Sequence, residues 1–125
     1  MAIRTARSGT RIAAAATDTF TFPVLTGKLL RVDIVNSAST NYKVYTLQSD
    51  GSTVDEYILG GAASTVTVAS GTKFYPGMTL CGTDGTAIAA TDNAVPFVVG
   101  WKQIKVDASA LTAADTWSIE LTYEV

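Results

Sequence analysis

From Asp18 onward, apolar and polar side chains alternate with a period of two, the mark of strands that bury one face. Thr19-Phe20-Thr21-Phe22 alternates cleanly, and Pro23 either ends that strand or confines it to a sheet edge. Leu30, Val32 and Ile34 share one face, with Arg31 and Asp33 on the other. Residues 42–47 are dense in aromatic and β-branched types, and Ser49-Asp50-Gly51-Ser52 supplies a turn in which Gly51 takes a positive φ. Residues 54–59 then return as the hairpin partner. After Gly60-Gly61, Thr65-Val66-Thr67-Val68 predicts another short strand, closed by Ser70-Gly71.

Residues 73–81 predict a strand broken at Pro76-Gly77, and Thr83-Asp84-Gly85-Thr86 a second tight turn. Residues 95–106 read as one long strand whose apolar parity slips near Gly100. Phe97, Val99 and Trp101 fall on one face, Ile104 and Val106 on the other, so a bulge or a bend between sheets is expected there. In the last segment Trp117, Ile119, Leu121, Tyr123 and Val125 alternate with Ser118, Glu120, Thr122 and Glu124. One helical turn over residues 108–114 is the only helix the pattern allows. Seven to nine short strands at this spacing predict an all-β chain, an antiparallel β-sandwich or jelly-roll-like fold. Residues 1–17 read as an extended N-terminal arm, and 18–125 as a single domain.

Composition agrees with β structure and removes most catalytic chemistry. Nineteen Thr and eighteen Ala stand in 125 residues, with 47% hydrophobic and only 16% charged positions. There is no histidine, which excludes Ser-His-Asp and Cys-His catalysis and mixed Cys/His zinc sites. The single Cys81 has no intrachain disulfide partner, fits a reducing compartment, and reads as a small buried side chain in a strand. No enzyme activity and no cofactor are expected.

Charge is divided along the chain. Arg4, Arg7 and Arg11 precede the first acid, Asp18; from there on, six bases face eleven acids, a net of -5. The apolar run 12–16 is too short for a signal peptide, and no stretch has the roughly 18 apolar residues of a membrane-spanning helix. Three arginines with no aromatic between them make a poor nucleic-acid footprint, and the acidic body opposes it. An acidic protein neighbour suits such an arm better.

Other candidate sites are weaker. Asp55 and Glu56 point to opposite strand faces, which does not make a converging carboxylate pair. The oxygen-rich segment 50–56 lacks the spacing of a calcium loop, and no metal site is expected. Tyr42, Tyr45, Tyr57, Tyr75 and Trp101 are either core and interface aromatics or, where exposed, platforms for sugar rings; Tyr75 and Trp101 are the two candidates for a glycan site or an interface.

The Arg-dotted opening MAIRTARSGTRIAAAATDTF, the Thr/Ala/Gly-rich stretch GAASTVTVASGTKFYPGMTL and the closing TWSIELTYEV together resemble small virion proteins of tailed bacteriophages, in particular capsid decoration (cement) proteins. The resemblance implies a β-rich subunit, commonly a homotrimer, made in the host cytoplasm and seated on the outer capsid surface. Its arm would staple neighbouring major capsid proteins, and it would stabilise the shell by binding only the expanded form. On that reading Arg4, Arg7 and Arg11 pair with capsid carboxylates, while Ile3 and Ile12 complete the contact, Ile12 in an apolar groove. Removing residues 2–16 should then leave a folded, soluble oligomer that no longer decorates capsids. The alternatives are a carbohydrate- or receptor-binding β-sandwich, or a tail, neck or head-fibre component.

Overall fold

A computed structural model describes residues 2–79 and 94–125. Twelve strands run along these residues: β1 Ile3–Arg7, β2 Arg11–Ile12, β3 Asp18–Thr21, β4 Leu25–Asn36, β5 Thr40–Leu47 and β6 Val54–Leu59, followed by β7 Val66–Val68, β8 Thr72–Phe74, β9 Gly77–Thr79, β10 Ala94–Lys102, β11 Ile104–Ser109 and β12 Thr116–Glu124. The chain is all-β, a sandwich of two antiparallel sheets. One sheet has the order β1-β12-β4-β10-β9, with β2 also on β12 and β8 also on β4. The other has the order β3-β11-β5-β6, with β7 also on β5. Cys81 and the turn at residues 83–86 lie outside the described residues.

Period-two patterning is what the two sheets share. β12 sends Trp117, Ile119 and Leu121 inward, and β4 adds Leu29, Val32 and Ile34. From the opposite sheet come Tyr42 and Val44 of β5 with Ile104, Val106 and Ala108 of β11. These residues form one core between the sheets, as in any aligned sandwich. Along β12 burial fades where the strand reaches the open end of the sandwich: Tyr123 is half-buried and Val125 is exposed.

Bulges explain where the alternation misled. Leu121 and Thr122 face Val32 and Arg31, but Tyr123 faces Leu29, so Leu30 is an extra residue on β4. The expected core position of Leu30 is therefore taken by Leu29, which is fully buried. Nearby, Gly27 has φ +137, and a Cβ there would stand 2.3 Å from the Glu124 carbonyl oxygen, a close approach that only glycine permits.

The expected slip in the long strand is real and carries the chain from one sheet to the other. Val99 faces Gly27 and Lys102 faces Leu25, so Gly100 and Trp101 together oppose the single residue Thr26. The left-handed conformation is taken by Trp101, at φ +54, rather than by Gly100. Trp101 thereby leaves the face of Phe97 and Val99 on which alternation had placed it. The expected helical turn over 108–114 does not form. Ala108 and Ser109 belong to β11, and the loop after them turns through left-handed residues Ala110 and Ala114.

Within the segment expected as an extended N-terminal arm, β1 and β2 join the body's own sheet. β1 pairs with β12 from Ile3 opposite Glu124 to Arg7 opposite Glu120, and β2 continues on the same edge. Ala13 is in the core and donates its N–H to the Asp115 carbonyl at 2.8 Å. Removing residues 2–16 would strip this edge and part of the core, so the truncation does not isolate an appendage.

Candidate functional site

Strand alternation divides the arm residues between two faces. Ile3, Arg7 and Ile12 stand opposite Glu124, Glu120 and Thr116, on the outer face of the sheet. Arg4 and Arg11 stand opposite Tyr123 and Trp117, on the inner side. The three arginines therefore make no common stripe.

Two of them are engaged within the chain. Arg7 forms an exposed ion pair with Glu120. Arg11 grips the Asp18 carboxylate with two donors, Nε at 2.9 Å and Nη2 at 3.1 Å, while the Trp117 indole N–H donates to the same carboxylate at 3.1 Å. The Arg11 guanidinium also lies 5.3 Å from the Phe20 ring centre and 5.8 Å from that of Trp117, near enough for cation–π attraction. This cluster ties β2 and β12 of one sheet to β3 of the other. The hydrogen bond from Arg11 holds the Asp18 carboxyl below the usual carboxylate range, against partial burial, and Asp18 in turn raises Arg11.

Arg4 is different. It is exposed and lines a hollow at the open end of the sandwich with Val24, Leu25, Thr26, Trp101, Tyr123 and Val125. Arg4 and Trp101, drawn from the two separate groups of candidates, thus meet at one corner. Trp101 is the most exposed large hydrophobic side chain among the described residues, and two further exposed valines stand beside it. Trp101 is 76% exposed, Val24 56% and Val125 52%.

Local chemistry holds Trp101 in this pose. The Thr26 hydroxyl donates to the Val99 carbonyl at 3.1 Å on one side of the bulge. On the other side Lys102 forms an ion pair with Asp55 of the opposite sheet, and the Leu47 N–H donates to the Gln103 carbonyl at 2.9 Å. A bulky residue at positive φ costs about 1–3 kcal/mol and persists only where its surroundings over-determine it, a pattern concentrated at binding sites.

On its other flank the indole borders a second hollow lined by Val24, Leu47, Gln48, Ser49, Gly100, Lys102 and Gln103. No acid lines either hollow among the described residues, and Lys102 is already paired. The corner is therefore free of acids among the described residues, apolar on the side of Val24, Tyr123 and Val125, polar on the side of Gln48, Ser49 and Gln103, with Arg4 at its rim. It can bury an indole against a partner and offer Arg4 to a carboxylate.

The remaining candidates fall elsewhere. Tyr75 is 71% exposed in the connection after β8 and borders neither hollow beside Trp101. Ile12 is exposed on the outer face beside Thr116. Tyr42 is core, and burial raises its hydroxyl pKa against the smaller effect of Asn36 and Thr40. Tyr45 is buried beside Tyr57 and donates to Asp107 at 2.7 Å; burial first, then that bond, push its pKa up.

Asp50 serves its own turn. Its Oδ1 accepts the N–H groups of Ser52 and Thr53 at 2.9 Å each, and the Thr53 hydroxyl donates to its other oxygen. With the Thr53 hydroxyl as the largest cause, its pKa falls to about 2. Gly51 adopts the expected positive φ, so an Asx-capped hairpin turn accounts for these oxygens. Among the described residues no three His, Cys, Asp or Glu side chains are grouped to hold a metal ion. No helix there is long and apolar enough to cross a membrane.

The sequence pattern singles out Trp101 and counts Val125 only as the end of the last strand's apolar face, while no motif marks Val24. Pro23 beside Val24 was the one available signal that this segment stands outside the alternating strands. No protein-family model matches the chain, and no curated protein matches it.

Proposed function

We propose that this chain is a virion structural protein, a capsid decoration subunit that docks on the outer capsid surface through the Trp101 corner. The observation that carries this reading is the exposed, conformationally strained Trp101, with Val24 and Val125 beside it and Arg4 at the rim. Trp, Tyr and Arg dominate binding energy at protein interfaces, where a rigid aromatic fills a recess and surrounding contacts exclude water. The partner is a major capsid protein presenting an apolar recess and a nearby carboxylate. Engagement of Arg7 and Arg11 inside the chain narrows the arm's contribution to Ile3, Arg4 and Ile12. Lightly charged Thr-rich strand faces support self-association, and a homotrimer is what the resemblance to capsid decoration proteins implies. No catalysis and no cofactor enter this role.

A second reading has its own observation: Gln48, Ser49 and Gln103 line the polar flank of the Trp101 ring, as in a site that stacks a sugar on an indole. Co-sedimentation with expanded capsid shells separates the two. Trp101→Ala should weaken shell binding at least tenfold. Arg4→Glu should weaken it several-fold and flatten its salt dependence. Shell binding unchanged in both variants overturns the docking role. Glycan binding lost in Trp101→Ala and kept in Arg4→Glu, without any shell binding, establishes the rival. A tail, neck or head-fibre address is distinguished by electron microscopy of labelled particles.

A further inference from the structure

The two halves of the β12 edge are held very differently. β2 and the residues after it are anchored by the Arg11–Asp18 pair, by buried Ala13, and by the Ala13 N–H bonded to Asp115. β1 has no such anchor. Of its five side chains only Ala6 packs against the core, and then only partly buried; Ile3, Arg4, Thr5 and Arg7 are exposed. Its one ion pair, Arg7 with Glu120, is also exposed, and such pairs contribute at most about 1 kcal/mol. What holds residues 2–8 is the backbone ladder of β1 to β12, closed at its end by Ser8, whose N–H donates to the Ile119 carbonyl and whose hydroxyl accepts the Ile119 N–H, each at 3.0 Å.

Between the two halves stand Gly9 and Thr10. Gly9 is exposed at φ +69, and the space where a Cβ would stand has no atom within 4 Å. The chain can pivot here without disturbing the core. Released at this point, residues 2–8 reach roughly 23 Å as an extended strand. The vacated edge, residues 119–125, would then present unpaired backbone groups beside Leu121, the Ile119 N–H among them. Such an edge calls for a strand that is small where it faces inward and carries a cation opposite Glu120.

We infer that β1 is an exchangeable strand, and that the β12 edge of one copy accepts β1 of a second copy in the register seen within the chain. The second copy is the fitting occupant because its residues 3–7 carry Ala6 for the inner face and Arg7 for Glu120. Exchanged and unexchanged pairings make the same contacts. The balance therefore turns on the concentration of neighbours against the effective concentration of the tethered strand, on the order of millimolar for a short link. Isolated chains keep β1 on their own β12, whereas copies crowded on a surface or in an oligomer exchange it. This inference does not depend on the virion role.

Thr5 lies directly opposite Thr122. Opposed antiparallel residues have Cα atoms about 4.5–5.5 Å apart, within the range a disulfide spans. The test uses the full chain with Cys81→Ser throughout. The double variant T5C/T122C, oxidised in dilute solution, should close within one chain. A mixture of single variants T5C and T122C should give a covalent heterodimer whose yield rises with protein concentration. That yield should exceed at least tenfold that of a mixture of T5C with S118C, whose register does not match. The inference is overturned if no heterodimer forms where the double variant closes. It is equally overturned if both mixtures give the same yield, or if the double variant does not close.

Discussion

The two tryptophans both fall on the apolar face of an alternating strand in the sequence, and in the structure they stand in opposite environments. Trp117 is 1% exposed, packed 5.9 Å from the Tyr42 ring centre, with its N–H satisfied by Asp18. Trp101 is 76% exposed on a strained backbone. The difference lies in the strands beneath them. β12 keeps an unbroken register from Trp117 to Thr122, whereas β10 inserts two residues against one and turns the second of them outward. An indole is a large apolar body with one donor, so it stabilises a fold when that donor is met inside. Left outside and held rigid, the same group is available for the docking proposed above.

The largest way to break this contrast is to truncate the buried member. Trp117→Ala should destabilise the fold by about 3–5 kcal/mol, whereas Trp101→Ala should stay within about 0.5 kcal/mol, as expected for an exposed site. Urea unfolding of both variants checks this, and comparable losses would show that Trp101 is a core residue.

A smaller effect tests the polar anchor of Trp117. Asp18→Asn removes a charged acceptor shared by Arg11 and Trp117 and should cost about 1–3 kcal/mol near neutral pH. Because the folded carboxyl titrates below its unfolded value, its contribution is complete above the ordinary carboxylate range near pH ~4. It fades as pH falls through the lowered folded value. Melting temperature against pH should therefore drop less steeply on the acid side in Asp18→Asn than in the parent. Identical slopes would mean that Asp18 is not the group being titrated.

The smallest effect concerns strain. Trp101→Gly should be more stable than Trp101→Ala by roughly 1 kcal/mol, since glycine accepts positive φ without penalty. Both lose the indole equally, so the comparison isolates the backbone. Equal stabilities would show that the bulge relaxes once the ring is gone.

Much of the fold was legible because period-two alternation reports burial directly. The hairpin of β5 and β6, the turn at Gly51 and the inward face of β12 follow from local residue order. The bend between sheets near Gly100 was legible too, as a slip of parity. Its consequence was not, because one residue inserted into one strand reverses every side chain beyond it. Leu30 and Trp101 were misplaced for that same reason.

The candidate site was less legible than the fold. Arg4 and Trp101 could be singled out by type, yet they lie 97 positions apart and only the assembled sandwich brings them to one corner. The split of charge was visible as a basic start and an acidic remainder. That Arg11 spends its charge on Asp18 and Arg7 on Glu120, while Arg4 stays exposed at the end of the sandwich, depended on which strand edge received the arm. Chain order alone determined an all-β sandwich, poor in charge and without histidine chemistry, since alternation and composition are local properties. Tertiary structure alone decided which aromatic is core and which is exposed, and whether the arm lies on its own sheet. Those outcomes depend on bulges and strand partners, which are set by residues far away in the chain.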